Sequence, residues 1–575
     1  MTKKTVALFK ESYFLLILIT LIGAFFRILY LQFVPNAIGG DELTYFLTAK
    51  SVFLSGYDFT NTWNPLMALL FKYPPGTVQA ELSYFISLAV SPFAFSLLQA
   101  RIIYALLSIG CIPLIFFITK KLLGTKTALF ASFLMAINPW EVYIGRTSYE
   151  LVPALFFFLA SLLLLLYAKG AKTLLVIPLL MLAFYSYIGT KVFFLPFIFT
   201  TIWYVYTSEE YKKSKKYYIC ILIFSVLFTL FYAASIFLTN QDNRSADLFT
   251  PFSPNLAQQV DHTRRLSIAN PLLTFFENKP VLYIKIIIEK FLNTLSFNYL
   301  FSSGDQFFSV PRHGIFFVSD LPFLFLGMIF LFFKQKKVFI FLSVLTLLSL
   351  LPQLLQGYDV RNFTPHISLF FPFAFIGIAF GITFITDRIK YKKIAIFIII
   401  SLYTVLSLNF MQLYLFQFPL QGHFDFKLRI LSSYANRAQQ NDNVTIYTNA
   451  PYDSFQKYLF YGNAINKDTL PNIKNSLKIK KFTINNLTFS NCPGKTPGKS
   501  HKGIIIIDVN CGIKLKTSTP ILLPQLKDSG GLYLIYRDKI CRNVELGTYI
   551  QNLKISDFGV ENLSDSSFCK TYLIN

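Results

Sequence analysis

The chain has 575 residues, 54% of them hydrophobic and 14% charged, with a mean hydropathy of +0.51. Soluble domains carry about 25% charged residues, so the composition excludes an ordinary soluble protein and points to a polytopic membrane protein. The net charge of +24 does not point to nucleic acid, because Lys and Arg gather in short segments between apolar runs, where such charge reports membrane topology.

The apolar run from Tyr13 to Phe33 is too long for a signal-peptide core and lacks a small-residue cleavage site after it, so it reads as a first span. A span needs about 20 apolar residues, and candidates follow at roughly 101–119, 126–142, 151–168, 173–189, 192–208, 217–239, 318–333, 338–355, 365–386 and 394–416. About eleven spans place the termini on opposite sides and put every lysine cluster on one face. Residues 77–98 are apolar enough for a twelfth, but a span there breaks the charge pattern, so they read as re-entrant or lying along the interface.

With the amino terminus cytoplasmic, the other face receives the loop 34–100, the turn 138–150, a loop of about 240–317 and everything after about 417. In that last part "NDNVTIYTNAP", "KGIIIIDVNC" and "GGLYLIYRD" read as strands, and "DFKLRILSSYANRAQQ" has helical spacing. The expected organisation is therefore a transmembrane catalytic domain over 1–416 and an extracytoplasmic α/β domain over 417–575 in the cytoplasmic membrane. Cys492, Cys511, Cys541 and Cys569 lie in this tail. An even count outside the cytoplasm invites disulfides, three pairings are open, and no CxxC spacing suggests zinc.

Ionisable groups at membrane depth are costly and commonly functional. The exterior short loops hold Asp41, Glu42, Glu141, Arg146, Glu150, Lys191, Asp359, Arg361 and His366, each beside the end of a span. Acids and cations on one surface near the headgroups suit a negatively charged lipid headgroup. A sugar on a polyprenyl phosphate carries a stable anionic leaving group, so one carboxylate to take the acceptor's proton and cations to hold the phosphate suffice. That differs from the two carboxylates of typical glycosidases. "FSSGD", with Asp305, lacks phosphate-loop spacing, and no nucleotide site is read.

Several stretches in order carry a resemblance: "GGDELTYFLTAKSVFLSGYDF", "YPPGTVQAELSYF", "ARIIYALLSIGCIPLIFFITKKLLG", "NPWEVYIGRTSYELVPALFFFLA", "YLFSSGDQFFSVPRHGIFFVSDLPFLFLGMIFL" and "GYDVRNFTPHISLFFP". Over about 1–390 the chain resembles the GT-C glycosyltransferases of the protein O-mannosyltransferase and aminoarabinose transferase type. The resemblance implies inverting transfer from a polyprenyl-phosphate sugar to a protein, lipid or glycan acceptor on the extracytoplasmic face. It places the catalytic base on Asp41.

Glu42, about 100° away on a helix, then serves as a structural or acceptor-orienting partner, the alternative for both acids being a solvated loop or helix N-terminus. Arg146 and Glu150 share a face if their turn is helical, with Arg146 near the phosphate or in a plain ion pair. Lys191 has no obvious local acid, so it reads as a phosphate contact or an interfacial snorkel. Arg361 is the strongest cation for bidentate phosphate grip, although Asp359 offers it a partner. Glu150, Arg312, His313 and His366 are possible substrate contacts, and Trp63, Tyr73 and Trp140 read as interfacial aromatics. No cofactor or metal is expected, although relatives of the oligosaccharyltransferase type use a divalent cation. A transporter or flippase is the competing class, disfavoured by charges at one interface and by the lack of an internal repeat.

Overall fold

In a computed structural model of the chain, residues 3–73, 80–207, 215–239, 254–305, 307–356, 362–420, 426–494, 503–515, 519–523, 533–547 and 553–574 are described. The chain folds into two compact units. One comprises Met1–Ile28, Gln79–Leu82 and Tyr104–Met411, and the other Leu29–Val78, Ser83–Ile103 and Gln412–Asn575. The protein is a mostly helical membrane protein with a C-terminal sheet.

Every expected span falls on helix. Among the described residues, six helices are long and apolar enough to cross a bilayer: Glu11–Ile28, Leu97–Leu123, Lys215–Leu238, Lys336–Leu355, Phe370–Arg388 and Lys392–Leu420. The other expected spans coincide with shorter apolar helices, among them Thr125–Ile137, Leu151–Tyr167, Lys191–Tyr206 and Asp320–Lys334. The ambiguous region forms Glu81–Val90, a helix of 10 residues, about 15 Å long by the rise of 1.5 Å per residue and half the hydrocarbon thickness. Helices Asp320–Lys334 and Phe370–Arg388 pack backbone to backbone: a Cβ on Gly327 would lie 2.0 Å from the Gly377 carbonyl oxygen. Small residues at such a crossing give the close approach that drives helix association in lipid.

The second unit contains a six-stranded sheet of β1 (Val444–Tyr447), β2 (Phe482–Ile484), β3 (Leu487–Ser490), β4 (Ile504–Asp508), β5 (Ile521–Leu523) and β6 (Tyr533–Tyr536), ordered β2-β3-β1-β4-β6-β5. β1 runs parallel to β3 and β4, and the remaining pairs are antiparallel. All five residues of β4 are buried. Ile504 and Ile506 enter the main core, while Ile505 and Ile507 pack with Leu534 and Tyr536 on the other face, which explains an unbroken apolar run in place of alternation. The helix read from "DFKLRILSSYANRAQQ" is Phe426–Ala438. Disulfides join Cys492 to Cys511 and Cys541 to Cys569, selecting one of the three open pairings.

The core of this unit also takes in Ala37, Ile38, Leu43, Phe46 and Leu47 from the first loop, packed among Tyr434, Phe455, Leu459 and Phe460. Phe95 stacks on Phe460 with ring centroids 4.8 Å apart. Trp63 is buried and donates its indole N–H to the Lys72 carbonyl at 2.7 Å. Trp140 is buried against Phe371 at 4.5 Å, and Tyr73 is buried as well. The interfacial reading of these three is therefore corrected: their loops fold back into protein, so each ring finds a packed interior instead of headgroups.

Candidate active site

In the second unit, the first loop ends in the helix Gly40–Ser55, which carries Asp41 and Glu42 in its first turn. Carboxylates are favoured there by the positive end of the helix dipole. The two acids do different things. Glu42 is fully buried, and its Oε2 accepts a hydrogen bond from the Gly39 backbone N–H at 2.6 Å, the acidic half of a capping box. Asp41, one residue earlier and about 100° round the helix, is half-buried.

The approach to this helix is held by three cations that sequence reasoning did not single out. Arg101, fully buried, donates to the carbonyls of Pro35 and Ala37, each at 2.6 Å. Arg429 donates to the Asn36 carbonyl at 2.6 Å while its Nε and Nη2 grip Glu561, both at 2.7 Å. Lys457 donates to the Ile38 carbonyl, and the Ile38 N–H donates to the Tyr461 hydroxyl at 2.8 Å. Burial lowers the Arg429 pKa, but the Glu561 carboxylate outweighs it and the net shift is upward. Five backbone groups of Pro35–Ile38 thus have side-chain partners, as buried backbone polar groups require. The only hint in the sequence was a Lys or Arg inside an otherwise apolar helical stripe, which looks the same whether it snorkels or binds backbone.

In the membrane unit, the helix Thr125–Ile137 stops at Asn138, whose side chain caps Glu141 N–H at 3.0 Å and opens the six-residue helix Pro139–Ile144. The chain is not helical from Arg146 to Tyr149. The spacing of Arg146 and Glu150 therefore does not set them on one helical face; Glu150, buried, precedes the helix Leu151–Tyr167. Arg146 is fully buried and donates to the Phe26 carbonyl at 2.8 Å. Its neighbour Arg27 donates to Ser108 Oγ at 2.7 Å and to the Met135 and Ala136 carbonyls at 3.0 and 2.9 Å. Glu141 is also buried, and neither carboxylate oxygen has a hydrogen-bond partner among the described residues.

Lys191 has an acid after all. Its ammonium meets Glu81 at 2.8 Å, with both side chains buried, and lies 4.6 Å from the Tyr232 ring centroid. The partner sits 110 residues away in sequence, which is why local inspection missed it. Snorkelling is corrected by the same contact, since the side chain turns into protein.

The late motif is clasped from the large loop. Asp305 Oδ2 accepts from the Thr364 N–H at 2.7 Å and from its hydroxyl at 2.9 Å, while Oδ1 accepts from the N–H groups of Phe307 and Phe308. Buried His366 pairs through Nδ1 with Gln356 Oε1 at 2.8 Å, and Lys290 donates to the Gln356 carbonyl at 2.6 Å. His313 pairs through Nδ1 with the Gly314 carbonyl at 2.8 Å; burial lowers its pKa, with that bond opposing. Arg312 is exposed, at φ 62°. Asp359 and Arg361 lie outside the described residues. Among the described residues no three His, Cys, Asp or Glu side chains group as metal ligands would.

An apolar hollow of about 400 Å³ lies in the membrane unit, lined by Leu21, Phe25, Phe26, Phe133, Ile137 and Leu408 among others. Phe26 joins it to the buried cations, because the carbonyl of that same residue receives the Arg146 bond.

No protein-family model matches the chain, and no curated protein matches it. Among solved structures it is similar to ArnT from Cupriavidus metallidurans bound to undecaprenyl phosphate, at 12% identity and a TM-score of 0.46, over 90% of this chain and 97% of that one. It is similar also to the archaeal oligosaccharyltransferase AglB from Archaeoglobus fulgidus in complex with an inhibitory peptide and a dolichol-phosphate, at 12% identity and a TM-score of 0.45, over 78% of this chain. The same archaeal enzyme in complex with Zn and sulfate is similar at 11% identity and a TM-score of 0.43, over 78% of this chain and 61% of that one. The chain spans 64% of the AglB chain's length.

Proposed function

We propose that the chain is an inverting glycosyltransferase that moves a sugar from a polyprenyl-phosphate donor to a hydroxyl of a protein, lipid or glycan acceptor on the extracytoplasmic face. The observation that carries this reading is the division of labour at the first turn of Gly40–Ser55. Glu42 is consumed as a cap, while Asp41 stays half-buried on a turn whose approach is fixed by Arg101, Arg429 and Lys457. A general base must be held in place and still reach its proton.

In the proposed step the acceptor oxygen attacks the anomeric carbon as the bond from that carbon to the phosphate oxygen breaks. The acceptor proton passes to the Asp41 carboxylate, and the phosphate leaves as an anion. Arg361 and Arg146 are the proposed counter-charges for the leaving group. Lys191 remains a candidate only if it shares its charge with Glu81, since that pair is already neutral as a unit. The hollow beside Phe26 suits an isoprenoid chain in its apolar lining. No step is assigned to Glu150, Arg312, His313 or His366. The disulfides support placing the sheet unit in an oxidising compartment, consistent with a cytoplasmic amino terminus.

The test is an Asp41→Asn variant, which is expected to insert, to keep the wild-type Tm and to lose transfer by about 10²-fold or more, roughly the contribution of a positioned base. Mass spectrometry of envelope proteins, lipids and glycans from cells with and without the active chain gives the readout. Retained transfer by the variant removes Asp41 as the base.

A further inference from the structure

The sheet unit contains a groove of about 1180 Å³, larger than the 300–1,000 Å³ typical of a site for one small ligand. One wall is the helix that carries Asp41. Thr44, Thr48 and Ser55 line the groove, three, seven and fourteen residues beyond Asp41. At 100° per residue all four positions fall within about 60° of one another on the helix surface. The groove therefore follows the face on which Asp41 sits.

The opposite wall is the helix Leu470–Lys478 with the turn after it. It supplies Lys474, Lys478 and Lys480. The first two are four residues apart on one helix face, where like charges repel by a few tenths of a kcal/mol. Lys480 sits at φ 54°, a backbone region that non-glycine residues seldom occupy. The acid in the lining, Asp58, is turned to its own loop: Oδ1 accepts from the N–H groups of Thr62 and Trp63 at 3.0 Å each, and Oδ2 from the Thr60 hydroxyl at 2.6 Å. Lys474 is bonded to neutral groups, Ser55 Oγ at 2.9 Å and Asn61 Oδ1 at 2.5 Å. Burial lowers its pKa, only partly offset by Asp58. Tyr452 and Phe482, with ring centroids 5.6 Å apart, add an aromatic wall. Hydroxyls, carboxamides and rings suit sugars, and the lysines add a demand for negative charge.

We infer that this groove binds an anionic glycan, a chain of sugars bearing carboxylate or phosphate groups, and delivers it as the acceptor towards Asp41. The inference rests on the transferase reading for its last step but not for binding.

The test uses the detergent-solubilised full chain, with hexagalacturonate, a phosphorylated oligomannoside and neutral maltohexaose as probes. At least one acidic probe is expected to bind about tenfold more tightly than maltohexaose, with an affinity that falls as salt rises. Lys478→Glu/Lys480→Glu, which leaves the Lys474 hydrogen bonds in place, is expected to weaken that probe by about tenfold, while Lys478→Arg/Lys480→Arg retains it.

Equal affinity for acidic and neutral probes overturns the proposal, as does binding of neither acidic probe. So does displacement by glycerophosphoglycerol alone, which would mark a lipid headgroup site. If transfer proceeds and the double Glu variant leaves the acceptor KM unmoved, the groove is refuted while the transferase stands. If the acidic probe binds through the lysines and no donor sugar is ever turned over, the transferase reading fails while the groove stands.

Discussion

Asp41 and Glu42 are adjacent acids on one helical turn, yet the fold sends one to the backbone and leaves the other half-buried. Replacing Glu42 by Gln retains an acceptor oxygen for Gly39 N–H but removes the charge that interacts with the helix dipole. The expected cost is about 1 kcal/mol of stability and a lower kcat through a looser Asp41, with donor KM little changed. Thermal unfolding with donor-saturated kinetics separates this from the Asp41 variant, which loses turnover without losing stability.

At the level of elements, periodicity and run length placed the helices well. Each expected span has a helix under it, and the strands read in "VTIY", "IIIID" and "YLIY" are strands of the sheet. Helix ends were less legible: the first span ends at Ile28, followed by Tyr30 at φ 56°, where an apolar composition continues but the backbone turns. Long-range electrostatics were not legible at all. Glu81 with Lys191, and Arg101 or Arg429 with the 35–37 carbonyls, join residues between 64 and 393 positions apart, and no local pattern encodes such a pairing. The disulfides belong to this scale too. Their loops of 19 and 28 residues each restrict the unfolded chain by about 3 kcal/mol in the loop-entropy account. The 541–569 bridge is buried beside Phe568 and Tyr572, whereas Cys492 and Cys511 are half-buried. Cys541→Ser/Cys569→Ser is accordingly expected to lower the Tm more than Cys492→Ser/Cys511→Ser, measured on the oxidised proteins. Equal losses would indicate that loop closure alone decides the effect.

For the whole molecule, the grouping of the first loop with the C-terminal sheet has a consequence for truncation. Removing residues 426–575 deletes Arg429 and Lys457, two of the three cations that hold the backbone before Asp41. It also strips the cover from Ala37, Ile38, Leu43, Phe46 and Leu47. Exposing side chains of this kind costs about 1.5–3 kcal/mol for each large one, more than the cap at Glu42 can offset. The membrane unit keeps its own packing, including the Gly327 crossing and the Asp305–Thr364 clasp. The truncated chain is thus expected to insert and retain protection from hydrogen exchange in Asp320–Lys334 and Phe370–Arg388, while Leu31–Ser55 loses protection and transfer disappears. Uniform loss of protection in both regions would mean that the membrane unit depends on the sheet unit for its fold. Full protection of Leu31–Ser55 would mean that Arg101 alone fixes the turn that carries Asp41.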